Sequence, residues 1–151
     1  MKLTMRLKKH SYDIILKRGC LKNLYQFANV RERKVFVLTD SGVPAQYAQT
    51  VADQCTDAVI YTIPQGEASK CLKVYGQVLQ AMLDFGMGRR DVVVAVGGGV
   101  VGDLGGFCAA TYMRGIDFIN CPTTTLAQID SSIGGKTAID LGETKNIVGA
   151  F

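Results

Sequence analysis

The segment 97–103 (GGGVVGD) carries the first residues able to do chemistry, because Gly97, Gly99 and Gly102 match G-x-G-x-x-G. Glycine lets a ligand approach the backbone closely, and a helix opening there offers unpaired N–H groups and a positive dipole end to a pyrophosphate. The ordinary dinucleotide fingerprint opens its fold, whereas this one follows about three strands. Its ribose acid should end the next strand, yet Asp117 stands at the start of 116–121. Asp40, closing the run 34–39, is better placed for a ribose. Asp103 is expected in the first turn of the helix, either complementing its dipole or accepting from a ligand hydroxyl. A tight turn with structural glycines is the plain alternative. Three successive glycines favour a phosphate or dinucleotide.

The second segment, 130–137 (DSSIGGKT), is similar to the phosphate loop G-x-x-x-x-G-K-T with Asp130 in place of the first glycine. Such a loop needs a strand before it and a helix after it. Here 124–129 reads as helical and 137–141 as a strand, which argues against ATP. What remains is Lys136, able to pair with an anionic ligand group, and Asp130, able to accept from its hydroxyls. An internal salt bridge between them is the bland alternative. Lys145 and Asn146 follow. Arg114 closes the glycine-rich helix, where it is either a dipole partner or a ligand for a substrate phosphate. Glu67 and Lys70 flank the start of a long helix, and a capping acid is the bland reading of Glu67.

The elements that must position these residues alternate along the chain. Segments 2–8 and 12–17 are expected to pair as an N-terminal β-hairpin. Residues 21–30 read as a short helix, 34–39 as a strand, 43–55 as a helix with Tyr47, Ala48, Val51, Ala52 and Cys55 on one face, and 58–63 as a strand stopped by Pro64. Residues 69–85 form an apolar stripe (Leu72, Tyr75, Val78, Leu79, Met82, Leu83) ended by Gly86. The run 91–96 (DVVVAV) is apolar on both faces, the mark of a covered parallel strand. A glycine-rich helix, a strand over 116–121 and a short helix over 123–132 complete the reading. This is α/β: a Rossmann-like, open, mostly parallel sheet flanked by helices, with ligands expected beyond the carboxyl ends of its strands.

Composition narrows the function. The 151 residues are 48% hydrophobic and 20% charged, enough for one ordinary domain. Five cysteines without a CxxC pair suggest neither a disulfide framework nor a zinc knuckle. With His10 as the single histidine, a site built on several imidazoles is excluded from these residues. Residues 1–34 hold ten of the 17 Lys/Arg, but Leu3, Met5 and Leu7 alternate with Thr4, Arg6 and Lys8 as in a half-wet strand, and no stacking aromatics point to nucleic acid. The apolar stretch 92–113 contains six glycines and Asp103, which fits a buried strand, loop and helix rather than a membrane span. A soluble, cytoplasmic protein is expected.

GGGVVGDLGGFCAATYMRGIDFINCPTTTLAQIDSSIGGKTAID, continued by KNIVGAF, resembles the N-terminal domain of the 3-dehydroquinate synthase family, more loosely through TD at 39–40 and GEASK at 66–70. The resemblance implies an NAD-binding α/β domain over 1–151, without the family's helical C-terminal domain. It implies cofactor contacts from Asp40, Glu67 and Lys70, from Gly98, Gly99, Val100, Val101, Gly102 and Asp103, from Thr123, Thr124 and Leu126, and from Lys136 and Lys145. Asp130, Lys136, Lys145, Asn146 and Arg114 would serve the substrate, with Arg114 reaching its phosphate across a homodimer interface. The implied reaction turns 3-deoxy-D-arabino-heptulosonate 7-phosphate into 3-dehydroquinate and phosphate by transient oxidation, β-elimination, reduction and an aldol closure. A divalent metal, zinc or cobalt, would be held by the missing domain, so these residues alone are expected to be inert. Other sugar-phosphate cyclases, such as 2-deoxy-scyllo-inosose synthases, share the glycine turn. Glycerol dehydrogenases share the architecture without DSSIGGKT, and a non-catalytic nucleotide-binding module is the reading from another class. The glycine turn and the Lys136 loop are expected to face the same cleft, and Gly99 and Lys136 on opposite sides of the molecule would end the assignment.

Overall fold

The computed structural model describes residues 1–7 and 10–151. Residues whose side chains are apolar on both faces form its centre. Strands β3 (Lys34–Asp40) and β5 (Val92–Gly97) are buried along almost their whole length, while β4 (Asp57–Ile63) and β6 (Asp117–Pro122), at the edges, are half-buried. The four form one parallel sheet in the order β4-β3-β5-β6.

Alternate side chains of the sheet feed two cores. Phe36, Leu38, Val93 and Ala95 meet Val78 and Met82 of helix α2 (Leu72–Asp84) and Leu104 and Phe107 of helix α3 (Gly99–Thr111). Val35, Val37, Val92, Val94 and Val96 meet Ala48 and Val51 of helix α1 (Ala45–Ala52). Helix α3 is buried on nearly every side because a hairpin of β7 (Thr137–Leu141) and β8 (Thr144–Ala150) covers the side away from the sheet. That burial explains the membrane-like run: no helix among the described residues is long and apolar enough to cross a membrane. Gly105 is where α3 comes closest to the sheet, since a Cβ there would stand 3.2 Å from both Ala95 Cβ and Leu38 Cδ2.

The remaining elements depart in detail from the sequence reading. Strands β1 (Lys2–Met5) and β2 (Tyr12–Ile15) pair antiparallel, and the last position of the expected first strand, 8, lies outside the described residues. The expected helix over 21–30 is a 3-10 segment, Cys20–Gln26, broken at Asn23, where φ is −128°. Helix α2 starts at Leu72 rather than Ser69, because Glu67–Ser69 forms a separate 3-10 turn, and it leaves Leu72 and Leu83 exposed. The helix over 123–132 shortens to a π-type turn, Ala127–Ser131. Strand β8 had no counterpart in the sequence reading.

Candidate functional site

The carboxyl ends of the parallel strands meet at a topological switch point. From β3 the chain crosses to β4 on one side, and from β5 it crosses to β6 on the other, so the loops after β3 and β5 diverge and open a crevice. A cleft of about 440 Å³ lies there, lined by Asp40, Gly42, Tyr47, Gln65, Gly98, Gly99, Val100, Thr123 and Thr124 among others.

One wall is the start of α3. Gly98 caps the helix without any side-chain hydrogen bond, and the first intrahelical bond runs from the Gly102 amide to the Gly98 carbonyl at 3.1 Å. The amides of Gly99, Val100 and Val101 therefore have no intrahelical acceptor, and the positive end of the helix dipole lies with them. Glycine is needed here for approach: a Cβ on Gly98 would lie 3.3 Å from Thr124 Cγ2, and one on Gly99 would lie 3.3 Å from Ser131 Oγ. The Val101 side chain turns into the core, and Gly102 packs against Asn120, so these two can offer a ligand only backbone. Across the cleft, Asp40 is only 9% exposed. Its Oδ1 accepts from the amides of Gly42 at 2.8 Å and Val43 at 3.2 Å, which locks the carboxylate and leaves Oδ2 to accept from a ligand. Thr124 Oγ1 accepts from the Ala127 amide, and Leu126 stands exposed beside it.

A second polar centre lies under the β7–β8 hairpin. Asp103 sits one turn further into α3 than the sequence reading placed it, because the helix already begins at Gly99. Its carboxylate accepts from Lys70 Nζ at 2.9 Å, and the same ammonium reaches Asn146 Oδ1 at 2.5 Å and Glu67 Oε1 at 3.5 Å. Burial pulls the Lys70 pKa down, but the hydrogen bond and charge of Asp103, with the charges of Glu67 and Asp140, outweigh it and leave the pKa raised. Burial also lifts the Asp103 carboxyl, against the pull of Lys70. The short contact supports the ion pair, and we place the charge on both groups.

The other expected site residues are more scattered. Ser131 brings the start of the 130–137 loop against Gly99, while Thr137 packs on α3 at Gly106. That spacing puts the backbone beside Lys136 about 10 Å down the helix from the cleft. Asp130, Lys136 and Lys145 are exposed and none of them lines the cleft, so the expectation that the lysine loop shares it holds only for the start of the loop, where Ser131 lies against Gly99. The loop is followed by β7, not by a helix, as the argument against a phosphate loop requires. Arg114 does not close α3. It lies in the turn Tyr112–Arg114 beyond it with φ of 68°, some 18 Å or more along the helix from Gly99. Ser131 and Asp140 were missed by sequence reasoning. The KTAID segment held the signal for Asp140, which accepts the Asn146 amide at 2.8 Å. Among the described residues there is no group of three His, Cys, Asp or Glu side chains able to hold a metal.

Residues 60–151 match the family model described as 3-dehydroquinate synthase N-terminal. The chain belongs to that family. It is 45% identical over 157 aligned residues to a 3-dehydroquinate synthase of Streptococcus thermophilus, and 43% identical over 155 to one of Clostridium botulinum. These alignments take in 100% and 99% of this chain but 44% of each relative. The chain thus spans under half the length of the curated relatives it matches. Among solved structures, a 2-deoxy-scyllo-inosose synthase superposes with a TM-score of 0.93 at 28% identity, covering 100% of this chain and 44% of that one. Another, complexed with carbaglucose-6-phosphate, NAD+ and Co2+, superposes at 0.91 with 29% identity, covering 99% and 42%. The four-stranded parallel sheet flanked by helices is the sugar-phosphate cyclase fold.

Proposed function

We propose that residues 1–151 are the NAD-binding domain of a 3-dehydroquinate synthase, which converts 3-deoxy-D-arabino-heptulosonate 7-phosphate to 3-dehydroquinate and phosphate. The observation that carries this reading is the switch-point cleft, which Gly99 and Val100, at the unpaired amide end of α3, line together with a locked Asp40 carboxylate. The residues suit a dinucleotide. The amides would hold its pyrophosphate, and Asp40 Oδ2 would accept from ribose hydroxyls. Thr123, Thr124 and Leu126 would border the cofactor on the β6 side, with Asp103 further along α3 and Glu67 and Lys70 on the turn that meets it. NAD, when bound, supplies the transient oxidation and reduction of a substrate hydroxyl.

The chain's own residues would bind and orient. Asp130 would accept from substrate hydroxyls, and Lys136, Lys145 and Asn146 would offer donors to its anionic groups. Because Arg114 lies far from the cleft, its service to the substrate phosphate calls for a second copy, so a homodimer is part of the proposal. Among the described residues no cluster of side chains fits a zinc or cobalt centre, and no step is assigned to a metal within them. A helical C-terminal domain would complete the site, in a cytoplasmic protein.

The fold similarity to 2-deoxy-scyllo-inosose synthases favours a sibling cyclase as the second reading. An assay of the longer protein separates the two. Turnover of the heptulosonate phosphate and not of glucose 6-phosphate is expected, and the reverse preference would replace the first reading with the second.

A further inference from the structure

We propose that Lys70 is a positioning residue that orients the Asn146 side chain, so that the amide presents its N–H donors to an anionic oxygen of the substrate. The inference rests on the proposed substrate role of Asn146 and adds to it the reason that this amide faces one way.

Lys70 is only 3% exposed, and its ammonium is shared among Asp103, Asn146 and Glu67. An ammonium donates and never accepts, so an amide facing it at 2.5 Å must do so with its oxygen. The Asn146 Nδ2 group is thereby turned away, and it makes no hydrogen bond among the described residues. Without a donor-only neighbour, an amide can flip and offer either atom at little cost. The backbone of Asn146 is fixed as well. Its φ is 53°, in the left-handed region, its N–H donates to Asp140 Oδ1 at 2.8 Å, and the Asp140 amide donates to the Lys70 carbonyl at 2.9 Å. Lys70 thus holds both the side chain and the hairpin that carries it. The exposed Lys145 next in sequence adds positive charge, which suits a phosphate or a carboxylate as the recognised group.

A purely structural clasp would have different consequences. Asn146→Asp keeps an oxygen for Lys70, and therefore the clasp, but removes both donors. Lys70→Arg keeps a donor-only cation, whereas Lys70→Met removes it. The test follows the Asn146 side-chain amide by 15N NMR in the 151-residue chain while inorganic phosphate, or separately acetate, is added. In wild type and Lys70→Arg, one of the two anions is expected to move these signals, and which one does so distinguishes phosphate from carboxylate. In Asn146→Asp, read from neighbouring backbone amides, and in Lys70→Met, affinity should fall at least tenfold. If Lys70→Met does not fold, the contrast between Asn146→Asp and Lys70→Arg decides. Anion binding by Asn146→Asp equal to wild type overturns the proposal, as does Lys70→Met binding with an ordered, unshifted Asn146 amide. NAD+ is titrated in parallel. An intact response at Gly99, Val100 and Val101 with a failed Asn146 result overturns the Lys70 role alone. Silence to NAD+ and to both anions in wild type overturns the functional reading instead.

Discussion

Replacing Asp40 with asparagine isolates the interaction on which the cofactor assignment turns. The Asn Oδ1 can still accept from the Gly42 and Val43 amides, so the turn after β3 should survive. What changes is the atom facing the cleft: a charged acceptor becomes a donor, opposite a ribose hydroxyl that can no longer use it as an acceptor in the same way. A hydrogen bond to a charged group contributes about 1.5–3 kcal/mol, which corresponds to roughly 10- to 150-fold in affinity. Calorimetry of NAD+ binding to wild type and Asp40→Asn should therefore show a dissociation constant raised by about that factor, with thermal midpoints close together. Asp40→Ala should lose the turn as well and melt lower. Equal affinity of wild type and Asp40→Asn, with both folded, would refute the assignment of this carboxylate to the ribose.

Other consequences are independent of that one. Gly105→Ala places a Cβ 3.2 Å from Ala95 and Leu38 in a packed core, so a crowding cost of about 1–3 kcal/mol offsets the roughly 1 kcal/mol that Ala gains over Gly inside a helix, and urea unfolding should show no stabilisation. Because the Lys70 pKa is raised in the folded chain, its stabilisation is complete below its ordinary 10.5 and fades as pH climbs through the folded value. The stability difference between wild type and Lys70→Met should shrink over that alkaline range, as measured by denaturant midpoints. The purified 151-residue chain should form no 3-dehydroquinate from the heptulosonate phosphate, and turnover without an added C-terminal part would contradict the division of labour proposed here.

How far the sequence could be read depended on whether a segment's structure is set by its own residues or by distant partners. The runs KVFVLTD and VVVAVG declare themselves because both faces of each strand are buried, leaving no polar alternation to confuse them. Strand β8, TKNIVGA, is largely exposed and exists through its pairing with β7, so its own pattern carries little signal. The segment 21–30 has helical periodicity, but Gly19 enters it in the left-handed region and Asn23 interrupts it, yielding 3-10 geometry. In the site, the glycine turn and Asp40 were legible because local backbone chemistry demands those residue types. Lys70 and Asp103 were each picked out singly. Their pairing across 33 residues depends on how α3 sits against the turn at 67–69, which no local pattern encodes. The same holds for Arg114, whose distance from the cleft follows from the length of α3.

Whether the switch-point cleft holds a dinucleotide can be read most directly by mapping NAD+ onto the chain with 15N-resolved backbone amides. The largest shifts are expected on Gly99, Val100 and Val101, with a second set at Gly42 and Val43 around Asp40. Shifts confined elsewhere, or no response at millimolar NAD+, would contradict dinucleotide binding there.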